Sequence, residues 1–206
     1  MFISHNYQLL FFEVPRTASR AITEALVRLD PQAPTALIRA VKRNLFAYHL
    51  YDAGAVERYP SYRLIAGHRN PFDRIRSHYA YRRVRGNPPI LKTLDWPAYV
   101  SWASDPDSRP DIRGAMRDAP ITELLPCDRV QHWLRFESLT DDWDMLGQTL
   151  GTKLPPLTRR NASTANAYAY DENLAARIVA RFRSDFEYFG YDFDSWREID
   201  SKWSNS

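Results

Sequence analysis

Residues 7–14, YQLLFFEV, form a short apolar, aromatic-rich run of the kind found in buried parallel strands. After Pro15 the spacing changes to Ile22, Ala25, Leu26 and Leu29, a helical period that Asp30-Pro31 stops. The same succession returns at residues 62–67, YRLIAG, a second predicted strand that leads through HRN to Pro71. Proline suits the first position of a helix, and Phe72, Ile75 and Tyr79 fall on one face of the helix predicted there. Residues 90–105 predict a loop and then a short helix, and residues 106–120 are polar and proline-bearing. DRVQHWLRF, 128–136, alternates Val130, His132, Leu134 and Phe136 and predicts a third strand. The following segment predicts a helix with Ser138 or Thr140 as its cap and Gly151 at its end. Leu174, Ile178, Val179, Phe182 and Phe186 then mark an amphipathic helix closed by Gly190.

Strands alternating with helices predict an α/β fold in which a parallel sheet is covered on both faces. Ligands of such sheets bind beyond the carboxyl ends of the strands. Two turns lie at that edge, PRTASR at 15–20 and HRNP at 68–71.

Composition narrows the picture only locally. A chain of 206 residues with 44% apolar and 14% aromatic content reads as one compact domain over residues 1–206. Its 28 basic and 25 acidic residues leave a formal charge of only +3. Between Arg63 and Arg85, however, arginines stand at 63, 69, 74, 76, 82, 83 and 85, with Asp73 the only acid. That density focuses positive potential and points to an anionic ligand, either nucleic acid or a multiply phosphorylated small molecule. The lone Cys127 excludes an intramolecular disulfide. No secretory leader or segment of transmembrane length is evident, so the expectation is a soluble, cytoplasmic protein without a membrane partner.

The PRTASR turn has the placement of a phosphate-binding loop. A helix starting near Thr17 or Ala18 points backbone N–H groups at the turn. Thr17 and Ser19 add hydroxyls, while Arg16 and Arg20 add permanent charge. Neither G-x-x-x-x-G-K-[ST] nor G-x-G-x-x-G is present, which argues against an ordinary ATPase and a dinucleotide binder. An ordinary helix start with solvated arginines is the plain alternative. In the second turn Arg69 leaves the strand, Ser77 lies two turns into the helix, and Asp73 shares its face one turn earlier. An arginine with a serine suits a phosphate monoester, because guanidinium binds it bidentately.

Together, PRTASRAI and RNPFDRIRSHY resemble the two nucleotide-binding motifs of sulfotransferases that use 3′-phosphoadenosine 5′-phosphosulfate. The first resembles the loop for the 5′-phosphosulfate, and the second resembles the 3′-phosphate motif, an Arg-x-Pro followed by Arg and Ser-x-Tyr. HLYDAGAVERYPSYRLIAGHRNPFDR is similar to the corresponding lead-in of carbohydrate-type, membrane-free bacterial members. LRFESLTDDWDMLGQTLG, RRNASTANAYAYDENL and DFEYFGYDF resemble later family segments in order. Roughly residues 30–47 and 86–127 lie outside the likeness, and the region about 86–127 is the expected acceptor-binding segment. The family usually has lysine at the position of Arg16, glycine at Ala18 and serine or threonine at Arg20.

The resemblance implies a single-domain, P-loop-like three-layer α/β/α fold with a central parallel sheet. It implies sulfonate transfer from 3′-phosphoadenosine 5′-phosphosulfate to an acceptor hydroxyl, most readily on a carbohydrate, with no metal. It assigns Arg16 to the leaving 5′-phosphate and the transferring sulfonate, with Thr17, Ala18, Ser19, Arg20 and Ala21 completing the cradle. Arg69 and Ser77 would hold the 3′-phosphate, and Asn161 and Ser163 would lie near the donor. His49 is the expected base, with an ordinary pKa of about 6.5 suited to proton removal near neutrality, and Glu24 is the second candidate. Glu137 reads as structural, and the tryptophans mostly as core, although Trp96 and Trp102 could offer a sugar a stacking surface. The rival readings are a small kinase using ATP and a nonenzymatic nucleic-acid or anion binder using Arg63 to Arg85.

Overall fold

The computed structural model describes residues 1–33, 53–85, 92–107, 119–158 and 168–199. The chain divides into two compact units, Met1–Arg69 with Leu124–Asn161 and Asn70–Glu123 with Ala162–Ser206.

The first unit holds a four-stranded sheet in the order β1 (Phe2–Ser4), β2 (Leu9–Phe12), β3 (Arg63–His68), β4 (His132–Arg135). β2, β3 and β4 run parallel, with Phe11 opposite Ile65 and Ile65 opposite His132. β1 pairs antiparallel with β2, so the sheet is mixed rather than wholly parallel. Its three residues are too few to carry a period, and this edge strand was not legible in the sequence.

One face of the sheet presents Leu9, Phe11, Ile65 and Leu134. Helix α1 (Ser19–Leu29) covers it with Ile22, Ala25 and Leu26, and a later helix adds Trp143 and Leu146. Leu10, Phe12, Leu64 and Ala66 on the opposite face are equally buried. Burial on both faces explains why β2 reads as an unbroken apolar run rather than an alternation. Each such Leu or Phe contributes roughly 1.5–3 kcal/mol. Asp30 ends α1: its N–H donates to the Leu26 carbonyl, and its buried carboxylate accepts from Ser4 and Asn6. A short helix α2 (Ala53–Arg58) precedes β3.

Among the described residues of the second unit, most belong to three helices: α3 (Pro71–Arg85), α4 (Trp96–Ser104) and the later Glu172–Phe189. Phe72, Ile75 and Tyr79 pack against Trp96, Tyr99 and Val100 and against Leu174, Ile178, Phe182 and Phe186. The apolar faces expected from the sequence are the ones that meet. Asp95 caps α4 by accepting from the Ala98 N–H at 2.9 Å. The four-residue α5 (Ile121–Leu124) spans the boundary in sequence between the units. The helix after β4 is α6 (Leu139–Leu150), and Glu172–Phe189 is α7. Gly151 and Gly190 close α6 and α7 in the left-handed conformation, at φ 66° each, as expected. Ser138 is at the expected cap position of α6, but its hydroxyl faces Asp142 and does not cap the helix.

Buried arginines set the second unit apart. Arg74, Arg76 and Arg82 are all at most 4% exposed, so three members of the Arg63–Arg85 series do not belong to a solvated basic face. Arg74 pairs with Asp185 at 3.3 Å and donates to the Ala119 carbonyl. Asp185 also accepts from the N–H groups of Ile121 and Thr122 and from the Thr122 hydroxyl. Arg76 and Arg82 lie over the rings of Tyr170 and Trp102. Asp185 and the aromatic rings are what make their burial tolerable. Trp96 is in the core with its indole N–H bonded to the Ala169 carbonyl, as the core reading expected.

Candidate active site

β2 ends at Phe12, and the chain turns through Glu13–Ala18 into α1. Arg16 and Ala18 both adopt left-handed backbone conformations, at φ 68° and 60°. For residues with a Cβ this costs roughly 1–2 kcal/mol each, so the surroundings must hold the turn in place. Ala18 takes at its own cost the conformation that glycine adopts without strain. The tight turn therefore forms without the glycine the family usually has there.

The supports are specific. Thr17 is fully buried, and its hydroxyl donates to the Val14 carbonyl at 2.9 Å, which closes the turn on itself. Gly67 on β3 lies directly behind it, leaving no room for a Cβ. Arg69 follows β3 and donates from a guanidinium nitrogen to the Arg16 carbonyl at 3.1 Å. The Arg69 guanidinium rests 3.7 Å from the centroid of the Phe136 ring. Glu13 is buried at the root of the turn and accepts from the Thr23 hydroxyl on α1, with burial pushing its carboxyl pKa up.

Electrostatics at the carboxyl edge of the sheet are cationic. Among the described residues no side chain caps α1, and no acid stands in its first turn, so its N-terminal N–H groups and dipole favour an anion. Arg135 ends β4 in register with His68, and its guanidinium lies 3.6 Å from Glu137. His68 itself is buried against Trp133, and burial, helped by the Arg135 charge, lowers its pKa to about 4. It is neutral at physiological pH, which leaves the arginines and the helix terminus to set the positive field.

The first unit thus brings Arg16, Thr17, Ala18, Ser19, Arg20, Ala21 and Arg69 to one turn. Ser19 and Ala21 are buried, while Arg20 points outward and pairs with Glu24 at 3.2 Å. Ser77 belongs to the second unit, where it is buried on α3. His49, Asn161 and Ser163 lie outside the described residues. Sequence reading missed Gly67, Phe136, Glu13 and His68. A glycine within a strand pattern was the one signal available for Gly67.

A strand–turn–helix with this cationic edge is what the motifs anticipated, and a family model decides the matter. The model described as the sulfotransferase family matches residues 1–192. The chain belongs to the sulfotransferase family. No curated protein and no solved structure matched it in the other two comparisons. This sulfotransferase is accordingly a transferase that moves sulfonyl groups. Among its described residues, no group of three or more His, Cys, Asp or Glu side chains is arranged to hold a metal ion. Nor is any described helix long and apolar enough to cross a membrane.

Proposed function

We propose that this sulfotransferase takes its sulfonate from 3′-phosphoadenosine 5′-phosphosulfate and delivers it to a hydroxyl of a carbohydrate acceptor. The observation that carries the donor assignment is the turn at 15–20. Two left-handed residues aim the start of α1 at the carboxyl edge of the sheet, with Arg69 bonded to the same turn. Such a helix start offers several backbone N–H groups to a phosphate.

Sulfuryl transfer needs an in-line nucleophile, a stabilised leaving group and neutralised equatorial oxygens, in close analogy with phosphoryl transfer. Arg16 holds the transferring sulfonate and the 5′-phosphate oxygen from which it departs. The N–H groups from Ala18 to Ala21, with Thr17, Ser19 and Arg20, complete the cradle. As the acceptor oxygen bonds to sulfur, the sulfur–oxygen bond to the 5′-phosphate breaks, and adenosine 3′,5′-bisphosphate leaves with the negative charge. His49 takes the acceptor proton. Glu24, the second candidate, already carries an ion pair to Arg20 on the outer face of α1. Arg69 and Ser77 are assigned to the 3′-phosphate by their motif, and Asn161 and Ser163 to the donor's neighbourhood by theirs. The carbohydrate acceptor rests on the resemblance of residues 49–74 to carbohydrate-type members.

Incubation with donor labelled in the sulfonate, offered oligosaccharide and phenolic acceptors in parallel, tests both halves. Labelled saccharide is expected. Transfer to phenols alone would overturn the acceptor class, and phosphorylation of acceptors from ATP would overturn the donor.

A further inference from the structure

Arg69 is only 9% exposed, and two contacts within the first unit fix its guanidinium. Its face lies on the Phe136 ring at 3.7 Å, and its edge donates to the Arg16 carbonyl at 3.1 Å. Those contacts are geometrically compatible because a guanidinium is planar. Stacking occupies a face and uses none of the five N–H donors that lie in the plane. Phe136 therefore orients the whole fork of donors without competing for any of them.

Phe136 is well placed to do this. It follows Arg135, which is opposite His68 across the β3–β4 ladder, so Phe136 stands beside Arg69 by register. It begins the 3₁₀ turn Phe136–Ser138, and Asp142 on α6 anchors this turn by accepting from the Arg135 N–H at 2.6 Å. At the other end of the chain of contacts, the Arg16 carbonyl belongs to one of the two strained residues of the turn. A left-handed arginine persists only if its neighbours over-determine it, and the bond from Arg69 is one such constraint.

We propose that Phe136 is a positioning residue of the donor site. Its ring holds Arg69 so that one side chain braces the 15–20 turn and presents donors for the 3′-phosphate. Recognition of the two ends of the nucleotide is thereby coupled through the strut Phe136–Arg69–Arg16. The coupling to the 3′-phosphate rests on the donor proposed above, whereas the bracing of the turn does not depend on it.

Phe136→Leu keeps apolar volume but removes the ring, and Phe136→Tyr keeps the ring. Hydrogen exchange on the ligand-free protein reads the strut directly. Phe136→Leu should exchange faster at residues 16–20, by roughly ten-fold, with β3 unchanged and with Phe136→Tyr like wild type. Calorimetric titration should show Phe136→Leu losing roughly ten-fold more affinity for adenosine 3′,5′-bisphosphate than for AMP, with Phe136→Tyr restoring the ratio. Unchanged exchange at the turn, or uniform faster exchange with an unchanged nucleotide ratio, would overturn the proposal. Faster exchange at the turn in a protein whose wild type binds both nucleotides alike would leave the brace standing and refute the donor. If Phe136→Leu does not fold, Arg69→Lys, which keeps charge but not the planar fork, must give the same exchange and affinity pattern or the proposal fails.

Discussion

Gly67 and Thr17 meet with no space between them: a Cβ on Gly67 would lie 2.6 Å from the Thr17 hydroxyl oxygen and 3.2 Å from its carbonyl oxygen. The strand β3 therefore forms the back wall of the turn at 15–20, and glycine is the residue that lets them touch. Gly67→Ala should push Thr17 off its bond to Val14, costing about 1–3 kcal/mol of stability. It should also weaken donor-product binding, because the N–H groups of the α1 start move with Thr17. Thermal unfolding combined with nucleotide titration checks this. Wild-type binding in Gly67→Ala would show that the wall does not shape the site.

Ala18 carries the second constraint, its left-handed φ of 60°. Valine is worse than alanine there, since β-branching crowds the left-handed region. Ala18→Val is expected to lose about 1–2 kcal/mol, while Ala18→Gly should stay within about 1 kcal/mol of wild type. In the glycine variant, relief of strain is offset by the freer unfolded chain. Denaturant unfolding of both variants measures the difference, and equal stability of Ala18→Val and wild type would contradict a strained turn.

In the second unit the buried pair Arg74–Asp185 behaves as a structural node. Asp185→Ala would leave the Arg74 charge in a buried site and strip acceptors from the N–H groups of Ile121 and Thr122. A loss of about 3–5 kcal/mol is expected. Adding Arg74→Met to Asp185→Ala should recover part of that loss, because no charge is then buried. A double mutant less stable than Asp185→Ala would rule out this account of the pair.

Protonation of His68 should make the protein acid-sensitive. Its folded pKa is about 4 against an ordinary 6.5, so between these values the unfolded chain binds more protons. Stability attributable to His68 is thus complete above pH 6.5 and is lost as pH falls towards 4, by roughly 3 kcal/mol at most. Glu13 acts in the opposite sense, its raised pKa making ionisation costly in the folded state as pH rises. Comparing wild type with His68→Gln removes the Glu13 contribution. The stability gap between the two should change across pH 6.5–4, and a constant gap would contradict a buried neutral His68.

Much of the fold was legible because burial on both faces imposes unbroken apolar runs. YQLLFFEV and YRLIAG became β2 and β3, and Phe72, Ile75 and Tyr79 fell on the buried face of α3. The candidate turn was legible because Arg, Thr and Ser follow a strand and precede a helix. Its bracing was not legible, since the Arg69–Phe136 and Gly67–Thr17 contacts join residues 50 or more positions apart and depend on strand register. The series of arginines misled for a related reason. Helical spacing cannot reveal that Asp185, Tyr170 and Trp102 are waiting on neighbouring segments to receive Arg74, Arg76 and Arg82. Glu137 was read as structural, and it stands beside Arg135.

The most direct test of the central claim is a calorimetric titration of the wild-type protein with adenosine 3′,5′-bisphosphate, AMP and ATP at two salt concentrations. The bisphosphate should bind selectively, with an affinity that survives the higher salt, if the 15–20 turn and Arg69 read its two phosphates as proposed. Equal binding of all three nucleotides, falling steeply with salt, would mean that this edge of the sheet attracts anions without recognising the sulfonate donor.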